Sequence, residues 1–412
     1  MKSEFDFFRK SIRLGGMAAL NAGIIGLGGI WISRELGPTP RGELTKILLI
    51  YAAMQILTES GVLGSATYFS SRYPSYRIDI LRLVHESMIR KLLFFCPIFF
   101  LVVNYFELVS TSQIWLLITI LVVGNLLSGS SHVLQSANIE SWRKAQSTQS
   151  LAFVAIFLIC MNFDITTHLA FILIVLPGVA SSIIARIMLK RIPERQIESD
   201  QVSRAQFNSV FSKYSRTGFL WILASETFAR LELILASIIL TNQELGNFSL
   251  LLSWLMISTP FAASIGNIVF PAIAHDFDAN NFRQRHLYVY LRNTVLTSII
   301  LTTILVILVP IILNTIMDGV FEGYSEYVLP MGLLVILKQL STVLSEIVRG
   351  LNLNLLYTFN LIVIVLLICV ACWIEKPSSP FSVLAMLISG HIANLLIGIF
   401  MVIRAIQRGN VK

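Results

Sequence analysis

Lys190–Thr217, KRIPERQIESDQVSRAQFNSVFSKYSRT, is the longest hydrophilic stretch in the chain, and what flanks it decides the fold. Working back toward the N-terminus, apolar runs cover approximately 169–188, 145–163, 114–134, 92–109, 44–66 and 15–33. Working forward, they cover 218–240, 247–270, 293–316, 328–350, 355–374 and 381–403. Each matches the about 20 residues that a helix needs to cross a bilayer core. The composition agrees, since 55% of the 412 residues are hydrophobic and 13% are charged, with a mean hydropathy of +0.76. A soluble enzyme with one core is excluded, because soluble domains carry about a quarter charged residues. A transmembrane barrel is excluded too, because its strands alternate over about ten residues. The expected fold is an all-α polytopic membrane protein with twelve transmembrane helices in two six-helix lobes around a central cavity. The lobes are residues 1–190 and 218–412, joined by a cytoplasmic linker, 191–217.

The net charge of +8 is explained by topology. With the N-terminus inside, 25 of the 31 lysines and arginines fall on inner segments or inner last turns, four on outer ones (Arg34, Arg41, Lys46 and Lys376), and Arg230 and Lys338 within the membrane. Basic residues concentrate in cytoplasmic loops. Both termini are therefore expected in the cytoplasm, and no nucleic-acid partner is needed. Lys2, Arg9, Lys10 and Arg13 before the first run resemble a signal peptide, but without a convincing cleavage site this reads as an uncleaved first span. The four cysteines all lie in apolar runs, so packing rather than disulfide formation is expected, Cys369 and Cys372 included. Residues Pro74–Lys91 read as a basic amphipathic helix on the inner leaflet, with Ile78, Leu81, Val84 and Met88 on its apolar face.

Polarity inside the membrane marks six spans: 1, 2, 4, 7, 8 and 10. Because 7, 8 and 10 follow 1, 2 and 4 by six, a parallel repeat is expected, with Glu35-Leu36-Gly37 echoed by Glu244-Leu245-Gly246 and Gly61 by Gly266. Polar groups at membrane depth face protein or water. Asn21, Gln55, Asn125, Asn267 and Gln339 should therefore line the shared cavity. Arg230 lies mid-span and is costly to bury without a partner. It either forms an intrahelical pair with Glu226, one turn earlier, or offers its planar donor fork to a phosphate-bearing ligand. Lys338, in span 10, is either a second ligand-binding cation or salt-bridged to Glu59, Glu226 or Glu232. Glu59, Glu226, Glu232 and Glu346 are the coupling or charge-pair candidates. No histidine has metal-ligand spacing, and no phosphate-binding G-x-x-x-x-G-K-[ST] loop occurs, so neither a metal, a cofactor nor ATP-driven transport is expected. The outer connections never exceed 11 residues, too short for a large catalytic loop.

Two stretches carry a resemblance. Ser33-Arg34-Glu35-Leu36-Gly37-Pro38-Thr39-Pro40-Arg41-Gly42-Glu43-Leu44 resembles the R-x-LGP-xx-RG-x-L turn of polysaccharide and lipid-linked oligosaccharide flippases in the multidrug/oligosaccharidyl-lipid/polysaccharide exporter superfamily. Arg230-Leu231-Glu232, then Leu245-Gly246-Asn247-Phe248-Ser249-Leu250, Pro260 and Phe270-Pro271 are similar to that family's span 7 and 8 pattern, with Phe248 in place of the usual Tyr. In the first stretch Gly37 and Pro38 stop a helix, and Arg41 and Glu43 are expected to form a polar turn at the outer surface. The resemblance implies a non-enzymatic O-antigen or exopolysaccharide repeat-unit flippase of a bacterial inner membrane. It would carry an undecaprenyl-diphosphate-linked oligosaccharide outward, with membrane lipids, a polysaccharide polymerase and a chain-length regulator as partners. The alternative is a cation-coupled small-molecule or drug antiporter of the same fold. A major-facilitator transporter fits less well, because spans 5 and 11 are apolar.

Overall fold

The computed structural model describes residues 2–59, 61–105, 110–192, 204–263, 265, 266, 269, 273, 284–317, 325–351, 353–377 and 379–409. Fourteen helices run through them, and no strand occurs among the described residues. They are α1 (Lys2–Leu36), α2 (Pro38–Glu59), α3 (Val62–Arg72), α4 (Arg77–Tyr105), α5 (Thr111–Ala137), α6 (Ile139–Cys160) and α7 (Thr167–Lys190). Then follow α8 (Arg204–Ala229), α9 (Leu231–Ile239), α10 (Asn242–Leu255), α11 (Gln284–Ile316), α12 (Val328–Gly350), α13 (Asn354–Glu375) and α14 (Pro380–Gly409). Among the described residues the expected spans fall on these helices, with span 2 on α2 and α3, span 7 on α8 and α9, and span 8 on α10 and the 3-10 turn that follows it, while the ends of spans 3 and 8 lie outside the described residues. The protein is an all-α polytopic membrane protein.

Burial runs opposite to hydropathy, as it does when lipid is the solvent. Leu291–Thr315 has a mean hydropathy of 2.8 and is only 17% buried, whereas Asn242–Ala263 has 1.3 and is 67% buried. Leu355, Phe359, Leu367 and Trp373 of α13 stand out from the protein. Span 11 thus faces lipid along one side, as expected. Its other side carries Tyr357, whose hydroxyl accepts from Asn394 Nδ2 at 2.9 Å, while Asn360 donates to Asn394 Oδ1 at 3.3 Å. These bonds tie α13 to α14 where neither backbone has a donor to spare.

Three of the six polar spans are interrupted. Span 2 breaks at Gly61, which has φ 76°, and span 7 breaks at Arg230, with φ −114° and ψ 6°. Span 8 tightens into a 3-10 turn at Met256–Ser258. Irregular backbone is tolerated at membrane depth only where protein or a water-filled cavity surrounds it.

Contacts group the chain into two compact units, 1–45 with 227–412, and 46–226. In the first unit, α1 and the start of α2 stay with the C-terminal half because α2 crosses α10. Gly42 rests against the Asn242 carbonyl and Gly246 against the Pro38 carbonyl, so neither position has room for a Cβ. Thr45 donates to Ser249 at 2.8 Å one turn further along, with the same spacing of 204 residues that separates Pro38 from Asn242 and Gly42 from Gly246. The crossing is therefore a local two-fold. It also corrects the expected repeat register. Gly37, with φ 76°, ends α1, but Glu244 and Gly246 lie inside α10, because Thr241 caps that helix and its backbone N–H bonds to Glu244 at 2.9 Å.

In the second unit, the first part of α8 is held by aromatic packing. Phe207 stacks on Tyr76 with ring centroids 4.8 Å apart, and Tyr214 stacks on Tyr68 at 4.8 Å. Phe211 joins Phe69 at 5.5 Å. The expected cytoplasmic linker 191–217 is thus a packed helix from residue 204 onward, while 193–203 lie outside the described residues. The amphipathic helix is also corrected. Ile80, Val84 and Met88 are wholly buried against Val62, Phe69, Val133, Phe207 and Phe211, while Ile78 is exposed. Protein, not lipid, covers its apolar face.

Candidate functional site

The polar residues singled out in the sequence collect into one cluster per unit. In the unit of residues 1–45 and 227–412, Glu232 lies in the first turn of α9 just after the break at Arg230 and is 1% exposed. Lys338, on α12, donates to Glu232 Oε1 and reaches Met256 Sδ at 3.7 Å, at the 3-10 turn of span 8. Of the three acids weighed as partners for Lys338, the structure selects Glu232. The pair stands where two polar spans are irregular, and the 3-10 turn supplies a second contact: Gln339 donates to Ser258 Oγ at 2.6 Å. One turn along α12, Ser341 Oγ lies 3.2 Å from His391 Nδ1 of α14. Glu232 Oε2 and His391 Nε2 are both buried and find no hydrogen-bond partner among the described residues. Desolvating an ion pair is costly unless its geometry is good and its remaining lone pairs are satisfied. The pair therefore consumes most of the capacity of Lys338 and leaves part of that of Glu232 unused.

In the unit of residues 46–226 the arrangement differs. Asn125 of α5 is wholly buried and donates to Thr58 Oγ1 at 2.6 Å, and Gln55 donates to the Tyr51 hydroxyl at 3.3 Å. His132 Nδ1 lies 3.3 Å from Thr67 Oγ1, joining α5 to α3. Glu59 ends α2, hydrogen-bonds with Ser128 and has Glu226 as its charged neighbour. Glu59 makes no ion pair among the described residues.

The remaining candidates divide as follows. Arg230 occupies the break between α8 and α9, where its backbone N–H bonds to Thr227 and its carbonyl accepts from Ile234 at 3.0 Å. Asn21 is half-buried on α1, and Glu346 pairs with Arg349 at 3.5 Å near the end of α12, so Glu346 is a helix-end pair rather than part of either cluster. Asn267, like Phe270 and Pro271, lies outside the described residues. Of the outer turn motif, Arg34 is exposed, Gly37 makes the turn, Pro38 starts α2 and Gly42 makes the helix crossing. Arg41 departs from the expectation of an exposed polar turn. It is 7% exposed, because the glycine crossing brings α10 over this face, and its Nε has no hydrogen-bond partner among the described residues. Among the described residues no group of three or more His, Cys, Asp or Glu could hold a metal ion.

Sequence reasoning counted Thr58, Ser128 and Ser258 among the polar residues of the cavity-lining spans and His391 as structural or interfacial, but it missed Met256 and Tyr51 as members of these clusters. His391 carried a signal, as a histidine inside an apolar run. Met256 carried none, because thioethers are ordinary in such runs.

No family model matches the chain, and no curated protein matches it in sequence. Solved structures do match its fold. A MOP superfamily transporter from Pyrococcus furiosus, described as having a binding pocket of reversed polarity, aligns with TM-score 0.68 at 13% identity, over 97% of this chain and 96% of that one. The outward-facing conformation of a multidrug resistance MATE family transporter aligns with TM-score 0.65 at 12% identity, over 98% and 96%. The eukaryotic MATE transporter AtDTX14 aligns with TM-score 0.61 at 15% identity, over 98% and 99%. From end to end, the chain has the fold of the MATE transporters of the MOP superfamily.

Proposed function

We propose that the protein is an alternating-access transporter that moves a lipid-linked oligosaccharide, with an undecaprenyl-diphosphate carrier, from the inner to the outer leaflet for surface polysaccharide assembly. The observation that carries this reading is the meeting of its two flippase-like stretches. Gly42 belongs to the first and Gly246 to the second, and these two glycines make the crossing of α2 on α10. The residues that resemble the flippases are therefore the ones that build this junction. Arg230 supports the reading, because a guanidinium at a helix break inside a membrane span suits a diphosphate. Gln55, and Asn21 in the other unit, supply neutral polar groups suited to sugar hydroxyls, while Asn125 and Gln339 are buried and bonded to Thr58 and Ser258 and serve to hold their helices. Lys338 contributes less than the sequence suggested, because Glu232 holds it.

Cells lacking the protein should accumulate lipid-linked repeat units on the cytoplasmic leaflet and lose surface polymer. Arg230→Lys should restore only part of that polymer, since an ammonium keeps the charge but not the bidentate fork.

A second reading, a cation-coupled small-molecule antiporter, is favoured by Glu59, which makes no ion pair among the described residues, by the occupied Lys338 and by the multidrug transporters among the structures of the same fold. Intact surface glycan together with altered drug tolerance in the deletion strain would select it.

A further inference from the structure

The basic residues of α4 do more than set topology. The helix passes from its amphipathic half, ending at Lys91, directly into the apolar run that begins at Leu92. At that passage α8 runs alongside, and a cleft of about 420 Å³ opens between the two helices. Its polar end carries Arg90, Lys91 and Arg216, and its apolar walls are Phe95, Phe211 and Phe219. Lys91 Nζ lies 5.1 Å over the ring of Phe219. Among the described lining residues Glu86 is the one carboxylate and bonds to Arg90 at 3.4 Å, so that lining carries three basic groups against one acid.

Three features of the cleft converge on one ligand chemistry. The cations want an anion, the aromatic walls want hydrocarbon, and the depth is that of the headgroups, since the charged half and the membrane half of one helix meet there. A phosphate ester with an apolar tail satisfies all three. We propose that the cleft between α4 and α8 is a binding site for the phosphate headgroup of an anionic lipid, with the start of an acyl chain against Phe95 and Phe219. The seat pins α8 to α4, on the side of the membrane that the charge bias assigns to the cytoplasm. It is independent of what the protein transports.

Burial pulls the Lys91 ammonium down to about 8. Among the described residues the other charged groups lining the cleft are Glu86 and Arg90 of its own helix and Arg216 of α8. Lys91 therefore loses its charge as pH rises through about 8, and headgroup retention should fall between pH 7 and pH 9.

The test uses the full-length protein purified in detergent, titrated with phosphatidylglycerol or phosphatidylcholine and examined by native mass spectrometry. Phosphatidylglycerol should stay bound and phosphatidylcholine should not. Lys91→Gln with Arg216→Gln should weaken retention by about fivefold per charge removed. Arg82→Gln, an exposed change on α4 away from the cleft, should leave it unchanged, and so serves as the control for general surface attraction. Phe95→Ala should weaken lipid retention without creating any affinity for inorganic phosphate. Equal losses in the Arg82 variant and the cleft variant would reduce the effect to diffuse electrostatics and overturn the site. Displacement of the lipid by millimolar inorganic phosphate would make the occupant a soluble anion instead. Retention that is the same at pH 7 and pH 9 would remove Lys91 from the site.

Discussion

The two polar clusters are built from similar residues and end in different states. In the unit of residues 1–45 and 227–412, the charges are closed on each other, with Lys338 bound to Glu232. In the unit of residues 46–226, the hydrogen bonds of the cluster join neutral groups, Asn125 to Thr58 at 2.6 Å and Gln55 to Tyr51 at 3.3 Å, and Glu59 makes no ion pair among the described residues. A closed pair holds its helices together and gains little from an added ion. A carboxylate that makes no ion pair among the described residues, such as that of Glu59, stays able to bind a proton or a cation. The difference teaches that the number of charges inside a membrane is a poor guide to function, since the pairing decides which of them can act.

The largest effect that would break this comparison is at Lys338. Lys338→Met leaves Glu232 buried without its partner, which typically costs about 3–5 kcal/mol. The variant should be poorly abundant or melt early in detergent. Adding Glu232→Leu should recover much of that loss, because removing both charges of a buried pair is often neutral. A double variant as unstable as the single one would mean that the pair does not hold α9 to α12.

The crossing of α2 on α10 sits in the same unit and is expected to rank next. Gly42→Val or Gly246→Val would push a side chain into a carbonyl of the facing helix, and overpacking of this kind costs about 1–3 kcal/mol. A thermal shift measured on purified protein checks it. Thr45→Cys with Ser249→Cys tests whether the crossing opens, since their hydroxyls are 2.8 Å apart and sulfurs placed there lie within reach of each other. Oxidation should stop transport and reduction should restore it. Full transport by the oxidised protein would make the crossing a fixed joint.

The spans were legible because hydropathy integrates over about 20 residues and tolerates single polar groups. The same averaging hid the breaks at Gly61, Arg230 and Met256–Ser258, each confined to a few residues. Arg230 and Glu232 were readable as expensive residues, yet the partner of Lys338 was not, because three acids lay at plausible depth and only packing chooses among them. The triplet Glu-Leu-Gly misled: identical residues end one helix and begin another, since Thr241 caps α10 before its triplet starts. Phe207, Phe211 and Tyr214 carried helical spacing that announced a buried face, but the surrounding charges made the segment look like a linker.

Glu59 is expected to give the smallest stability effect and the sharpest functional one. Glu59→Gln keeps the shape of the side chain and leaves an amide that can still hydrogen-bond with Ser128, while removing the ionisable carboxyl. The melting temperature should therefore change little, corresponding to within about 1 kcal/mol. Transport should respond differently, because the substitution removes a group that binds a proton or a cation without creating a cavity. In vesicles energised by a proton or a sodium gradient, the variant should lose the dependence of its transport rate on that gradient while keeping its abundance. The matched control is the Lys338→Met, Glu232→Leu protein, which should keep its gradient dependence if the closed pair is only a structural tie. Loss of coupling in the control and retention in Glu59→Gln would invert the comparison, making the closed pair the responsive site and Glu59 the inert one.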